Sequence, residues 1–292
     1  MELSKDEISK QAKALGLDDI RYAKAGLIPS KDGELLSLDS LLPGAECIIM
    51  LFARYLPALE PAEGYMALSP YYVASHRAHS GARRLAAFIE SAGGRALHTS
   101  SISARAAALR VGGFIGDNGF YYHDIYGSFV CIQTILADSV QPEEYAPLRS
   151  ECLHCGACHS GCAGVGSIKE CVRKHTDGLV PEALRGNVYQ LLGCERCQSV
   201  CPLNTQERSA PHEFRLDELL EGRCTGRLKE LAGANMARPR RIISQAALYA
   251  ANSGAYELAA KLKELSLDAD EPVRSHAGWA YNKLTGDGND NA

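Results

Sequence analysis

No stretch of this chain stays apolar for long. The longest uninterrupted run, Cys47 to Ala53, is seven residues, where a bilayer-crossing helix needs about 20. A membrane span is therefore not expected. The N-terminus, Met1-Glu2-Leu3-Ser4-Lys5-Asp6-Glu7, lacks a basic stretch followed by an apolar one and a small-residue cleavage site, so no secretory signal is visible and a cytoplasmic location is expected. An excess of positive charge is missing too: 31 Lys and Arg face 35 Asp and Glu, a net −4. That balance excludes a uniformly basic surface of the kind that neutralises duplex phosphates, and leaves room only for a local patch. A dinucleotide fingerprint is also absent, because Gly112-Gly113-Phe114-Ile115-Gly116 does not have the GxGxxG spacing between a strand and a helix. Neither flavin nor nicotinamide is indicated by motif.

What is present is the composition of a folded protein, 46% hydrophobic and 23% charged over 292 residues, enough for about two domains. Ser4 and Glu7 form a capping-box pattern that starts a helix ending near Gly16. Cys47-Ile48-Ile49-Met50-Leu51-Phe52 reads as a buried strand, and Phe129 to Leu136 as another rich in β-branched residues. Between them, Ser75 to Ala92 places Ala78, Ala82, Leu85, Ala86 and Ile89 on one helical face, and a further helix is expected near 104–110. Residues 1–148 therefore predict a mixed α/β domain around one sheet. After residue 205 the pattern changes to short helices, Arg241 to Ala251, Tyr256 to Leu265 and Val273 to Leu284, whose rhythm is HEAT-like over 206–292.

The segment between, 149–205, holds eight of the eleven cysteines. In a reducing compartment such thiols serve metal or redox chemistry rather than disulfides. Cys152-x2-Cys155-x2-Cys158-x3-Cys162 has the spacing by which a tight loop aims three thiolates at one iron-sulfur cube while the fourth reaches a second. The partner set is Cys171 followed by Cys194-x2-Cys197-x3-Cys201-Pro202. The crossed pattern assigns Cys152, Cys155, Cys158 and Cys201 to one 4Fe-4S cluster, and Cys162, Cys171, Cys194 and Cys197 to the other. Structural zinc is the alternative for four thiolates, but it favours paired CxxC ribbons over this interleaved run. His154 and His159 read as solvated neighbours, and Cys47, Cys131 and Cys224 as buried apolar fillers.

Gly113-Phe114-Ile115-Gly116-Asp117-Asn118, Tyr126-Gly127-Ser128-Phe129 and Ile135-Leu136-Ala137-Asp138, followed by the eight cysteines, resemble the epoxyqueuosine reductase family and its reductive-dehalogenase-like relatives. Tyr55-Leu56-Pro57 and the terminal Val273-Arg274-Ser275-His276-Ala277-Gly278-Trp279-Ala280 extend the likeness over most of the chain. The resemblance implies an α+β architecture: a cobalamin-binding-type N-terminal domain, a two-cluster ferredoxin-like domain and C-terminal HEAT-like helices. It implies base-off cobalamin as a cofactor beside the two clusters, with electrons from a low-potential donor such as ferredoxin or flavodoxin. The positions that match corrin-contacting segments are Asn118, Tyr121, His123, Gly127, Ser128 and Val172.

This chain departs from the family in three places. The Asp-x-x-Pro stretch that supplies the family's expected general acid corresponds to Leu97-His98-Thr99-Ser100-Ser101-Ile102, which has neither residue. Asp117 stands where the family has Lys or a similar basic residue. Residues 206–292 hold 12 Lys and Arg against 13 Asp and Glu, which argues against tRNA as the substrate without excluding it. Proton donation then falls to a tyrosine or histidine, with Tyr72, Tyr121 and His123 as the catalytic candidates among a wider set of Tyr71, Tyr122, His76 and His79. The leading expectation is a cobalamin-dependent reductase of a small molecule. The alternatives are a non-catalytic electron carrier or activator of a corrinoid protein, and an epoxyqueuosine reductase acting on tRNA.

Overall fold

The computed structural model describes residues 3–145, 151–162, 164–166 and 169–286, and the chain divides into two compact units. The first comprises Met1–Tyr55, Ala74–Cys155 and Pro202–Thr205, the second Leu56–Val73, Gly156–Cys201 and Gln206–Ala292. The boundary expected at residues 148 and 149 lies outside the described residues, as does the tail past Gly286.

In the first unit the Ser4 hydroxyl accepts the Glu7 N–H while the Glu7 carboxylate accepts the Ser4 N–H, and this reciprocal cap opens the helix Lys5–Ala14. Four strands make one sheet in the order Asp19–Lys24, Cys47–Arg54, Val130–Ala137, Ala96–His98, every neighbouring pair antiparallel. Ile49 lies opposite Tyr22 on one side and Ile135 on the other. Cys47 to Ala53 is buried at every position, the pattern of a central strand covered on both faces. On one of those faces Ile48, Met50 and Phe52 pack with Val130, Leu136, Tyr121 and the short helix Ala104–Ala108.

The long helix begins earlier than its periodicity announces, at Pro70, and ends at Ser91, because proline in the first turn needs no amide partner. Its apolar face, Ala78, Ala82, Leu85, Ala86 and Ile89, is buried as the sequence predicts. Two strand pairs are invisible at sequence level: Leu27–Pro29 with Leu35–Ser37, and Phe114–Ile115 with Tyr121–Tyr122. Strands of two or three residues are too short for alternation to register.

Among the described residues the second unit holds one strand pair, Tyr65–Ala67 with Glu213–Arg215, in which Phe214 faces Met66. Helices Leu216–Leu220, Thr225–Ala232, Pro239–Ser253, Ala259–Leu265 and Glu271–Thr285 follow. Their buried sides, Leu219, Leu228, Ile242, Ala246, Leu262, Val273 and Ala277, form one core. The helix expected from Tyr256 starts as a 3-10 turn, Tyr256–Leu258, before the α-helix Ala259–Leu265. A polar seam runs through this core: His276 Nε2 accepts the Val180 N–H at 2.9 Å and its Nδ1 lies 2.6 Å from Ser244 Oγ. Among the described residues no helix is long and apolar enough to cross a membrane.

Candidate metal centres and active site

Short turns, rather than long elements, present the cysteine thiols. The loop Cys152 to Cys155 runs into the one-turn helix Ala157–Gly161, which carries Cys158 and has Cys162 at its end. Cys171 precedes the 3-10 turn Val172–Lys174, and the helix Arg196–Ser199 carries Cys197 between Cys194 and Cys201. Cys155 is exposed and the other seven of the set are partly buried, whereas Cys47, Cys131 and Cys224 are buried. Burial pushes the Cys47 thiol up to about 12, which leaves it a small apolar filler.

Within the second unit the thiols crowd one another. Burial, and beyond it Cys162 and Cys171, raises the pKa of Cys194. Burial, then Cys194, Cys162, Cys171 and Cys158, pushes Cys197 up to about 12. Cys162 and Cys171 are thus within electrostatic reach of both Cys194 and Cys197, and Cys158 is within reach of Cys197. Gathered thiolates repel, and a bound cation shared among them removes that penalty, so this donor set fits a thiolate-ligated metal centre.

Cys152 and Cys155 belong to the first unit, and Cys158 and Cys201 to the second. Beside Cys152 stand two groups that spacing does not reveal as neighbours. Cys152 Sγ, a carboxylate oxygen of Asp117 and a ring nitrogen of His154 lie within 4.8 Å of one another. His154 Nδ1 donates to Asp117 Oδ1 at 2.9 Å, so His154, although 72% exposed, is tethered rather than merely solvated.

Five of the candidate corrin contacts lie in the first unit. Tyr121 stacks on Phe52 with ring centroids 5.9 Å apart, its hydroxyl donates to Gly112 O at 3.0 Å, and burial raises its pKa. His123 meets the same Phe52 edge-on at 4.7 Å. Its Nδ1 accepts the Ile125 N–H at 3.1 Å, and its Nε2 lies 2.9 Å from Asp19 Oδ2 and 3.0 Å from Arg21 Nη2. Arg21 completes that group by pairing with Asp19 at 2.8 Å and Asp124 at 2.6 Å. Asn118 Nδ2 donates to Tyr122 Oη at 2.9 Å.

Gly127 and Ser128 are fixed by a residue the sequence did not single out. Asn204 Oδ1 accepts the Ser128 N–H and Asn204 Nδ2 donates to Ser128 Oγ, both at 2.8 Å. Gly127 has φ 61°, and a Cβ there would sit 2.3 Å from Asn204 Oδ1. Only glycine permits that approach. Asn204 follows Cys201-Pro202 after one intervening residue and is buried.

Tyr72 and Val172 lie in the second unit. Val172 is buried in the apolar core, and Tyr72 packs half-buried against that core. Gly193 leaves room for Ser69, which a Cβ there would meet at 2.4 Å, and the Tyr72 ring lies 3.7 Å from the same point. The Arg173 guanidinium sits 4.1 Å from the Tyr71 ring centre and 6.0 Å from that of Tyr72. A recess of about 490 Å³ flanks the helix Arg196–Ser199, lined by Leu59, Tyr189, Gln190, Glu195, Arg196 and Val200 among others. Glu195 is 1% exposed and accepts from Ser69 Oγ at 3.0 Å and Gln190 Nε2 at 3.3 Å, and burial raises its pKa.

No family model matches the chain. The epoxyqueuosine reductase of Staphylococcus aureus is 29% identical over 213 residues, 65% of this chain and 56% of that protein. That of Bacillus subtilis is 31% identical over 117 residues, 36% of this chain and 30% of that one. The matched stretches therefore span about half, or less, of these two relatives. For Lactococcus garvieae the identity is 27% over 248 residues, 70% of each chain. Among solved structures, the Bacillus subtilis epoxyqueuosine reductase with its catalytic loop swung out of the active site matches with TM-score 0.77 at 22% identity, over 96% of this chain and 90% of that one. An epoxyqueuosine reductase crystallised with an epoxyqueuosine-modified stem loop of tyrosine tRNA matches with TM-score 0.79 at 22% identity and the same coverage. These structures establish the mixed α/β fold.

The relatives and structures together support membership of the epoxyqueuosine reductase family. They also correct the expectation that the charge balance counts against tRNA, since a reductase of this fold holds a tRNA stem loop. The even balance misleads because a sum over 206–292 averages all faces of the helices, while phosphate recognition needs only a local patch.

Proposed function

We propose, with membership of the epoxyqueuosine reductase family as the premise, that this chain is an oxidoreductase that removes the epoxide oxygen of epoxyqueuosine in tRNA. Its cofactors on this reading are two 4Fe-4S clusters and a base-off cobalamin. The supporting observation is the eight-cysteine set standing on a fold that matches epoxyqueuosine reductases over 96% of the chain. Fold likeness without those ligands would carry no redox chemistry. Cys152, Cys155, Cys158 and Cys201 would hold one cluster, and Cys162, Cys171, Cys194 and Cys197 the other. Residues 1–148, 149–205 and 206–292 would then be the cobalamin-binding-type, ferredoxin-like and HEAT-like parts.

When bound, these groups supply low-potential electrons. Converting an epoxide to an alkene consumes two electrons and two protons, and the oxygen leaves as water. The protein's own share is to orient the reactants and to deliver protons. Asn118, Tyr121, His123, Gly127, Ser128 and Val172 remain the positions for corrin contact. Tyr121 and His123 commit their polar atoms to Gly112 and Asp19, which suits a fixed wall better than a proton source. Tyr72 is the retained donor: its hydroxyl has no partner among the described residues, and it lies beside the segment that carries Cys194. A phenol O–H can donate as charge builds on a leaving oxygen.

The test is anaerobic turnover of an epoxyqueuosine-bearing anticodon stem loop by the full chain with cobalamin and a reductant, read by nucleoside mass. Loss of one oxygen is the expected result. An unchanged mass from protein that carries full iron and a corrinoid would defeat the assignment.

A further inference from the structure

We propose that Asp117 holds down the reduction potential of the cluster bound through Cys152, an inference that rests on reading the cysteines as cluster ligands. A 4Fe-4S centre gains one negative charge when it is reduced, and its potential responds to nearby charge, to hydrogen bonds on its sulfurs and to exposure. Asp117 acts on the first two together. Its carboxylate oxygen lies within 4.8 Å of Cys152 Sγ, so a negative charge sits against a ligand atom and disfavours the reduced form. It also takes the His154 N–H at 2.9 Å, which turns that donor onto the carboxylate and away from the thiolate. Losing a hydrogen bond to sulfur lowers the potential in the same direction.

The carboxylate is placed rather than merely nearby. Its side chain is 29% exposed against 72% for His154, so water screens it incompletely. The turn that carries it is pinned on both sides. Gly119 N–H bonds Gly116 O at 2.8 Å, Asn118 Oδ1 accepts the Phe120 N–H at 3.2 Å and Asn118 Nδ2 donates to Tyr122 Oη at 2.9 Å. Asp117 is thus a positioning residue that acts through Cys152. It lies in a sequence position that marks no ligand, and no metal-binding spacing announces it.

The experiment is an anaerobic redox titration followed by electron paramagnetic resonance, on full-length protein with both clusters loaded and iron measured in each sample. Asp117→Asn keeps the shape and the acceptor but removes the charge, and should raise one of the two midpoint potentials while leaving the other in place. Asp117→Glu should restore the lower value. His154→Phe leaves the carboxylate bare of its N–H donor, and should move the same midpoint further down, a reading that survives if Asp117→Asn fails to load iron. Full iron with unchanged potentials in both Asp117→Asn and His154→Phe overturns this assignment alone, as does a shift in the opposite direction. A wild-type chain that takes up no iron overturns the cluster reading, and this inference with it.

Discussion

Asn204 holds Ser128 through a reciprocal pair of hydrogen bonds, Ser128 N–H to Asn204 Oδ1 and Asn204 Nδ2 to Ser128 Oγ, each 2.8 Å. Both residues are buried, and Gly127 before Ser128 is folded back on His123 by two backbone bonds of 2.9 and 3.0 Å. One amide therefore ties a candidate corrin-contacting turn to the chain that has just supplied the last cysteine. Replacing Asn204 with Ala removes these two buried hydrogen bonds, which costs about 1–3 kcal/mol. Gly127→Ala should cost at least ~1 kcal/mol, because the left-handed backbone and the Asn204 side chain both resist a Cβ. Chemical denaturation of the two variants checks this, and unaltered midpoints would show that the turn is held by something else.

Cys47, Cys131 and Cys224 are buried while the eight of 152–201 are not, and if those eight are the ligands, iron content should follow that division. Cys197→Ala removes a thiol from a crowded set and should lower iron by up to one cube, from about eight atoms per chain toward four. Cys224 is buried and its S–H lies 3.5 Å from Glu218 Oε2, so Cys224→Ala should leave iron unchanged. Parallel iron and sulfide assays on anaerobic protein read both. Loss of iron from the Cys224 variant, or its retention in the Cys197 variant, would rewrite the ligand set.

The central strand was legible because Cys47 to Ala53 is a continuous apolar run, and the long helix because Ala78, Ala82, Leu85, Ala86 and Ile89 repeat at helical spacing. The eight cysteines were legible as a set because they recur at short, fixed intervals between Cys152 and Cys201, and their division into two groups of four is part of the proposal. Asn204 and the Asp117–His154 contact were not, because each joins segments far apart in the chain, and a pairing set by tertiary folding leaves no periodic trace. The tRNA expectation failed differently: a charge count over 206–292 keeps no record of which residues share a face.

Proton delivery gives the sharpest kinetic prediction. If Tyr72 supplies the proton, Tyr72→Phe should slow stem-loop reduction by about 10²–10⁴-fold while iron content and thermal stability stay near wild type. Tyr121→Phe and His123→Gln should do the reverse, lowering stability first, since their polar atoms serve Gly112 and Asp19. Single-turnover rates paired with thermal melts separate the two behaviours. A Tyr72→Phe enzyme of normal rate removes Tyr72 from the mechanism.

His276 makes the second unit acid-sensitive in a defined window. Burial, helped by Arg185, pushes its pKa down from 6.5 to about 4, consistent with a neutral ring that accepts from Val180 N–H at Nε2 and donates from Nδ1 to Ser244. In the unfolded chain the ring takes a proton as the pH falls below 6.5, while in the folded chain it resists until about 4. The unfolded state therefore binds more protons across that interval, and stability falls as the pH drops through it. The contribution is fully present above 6.5 and gone below about 4, a loss of about 3 kcal/mol. His276→Gln cannot titrate and should be less stable than wild type at pH 7, with the gap narrowing as the pH is lowered toward 4. Denaturant midpoints for both proteins at several pH values measure that gap, and two curves that stay parallel would mean the buried ring does not set the acid response.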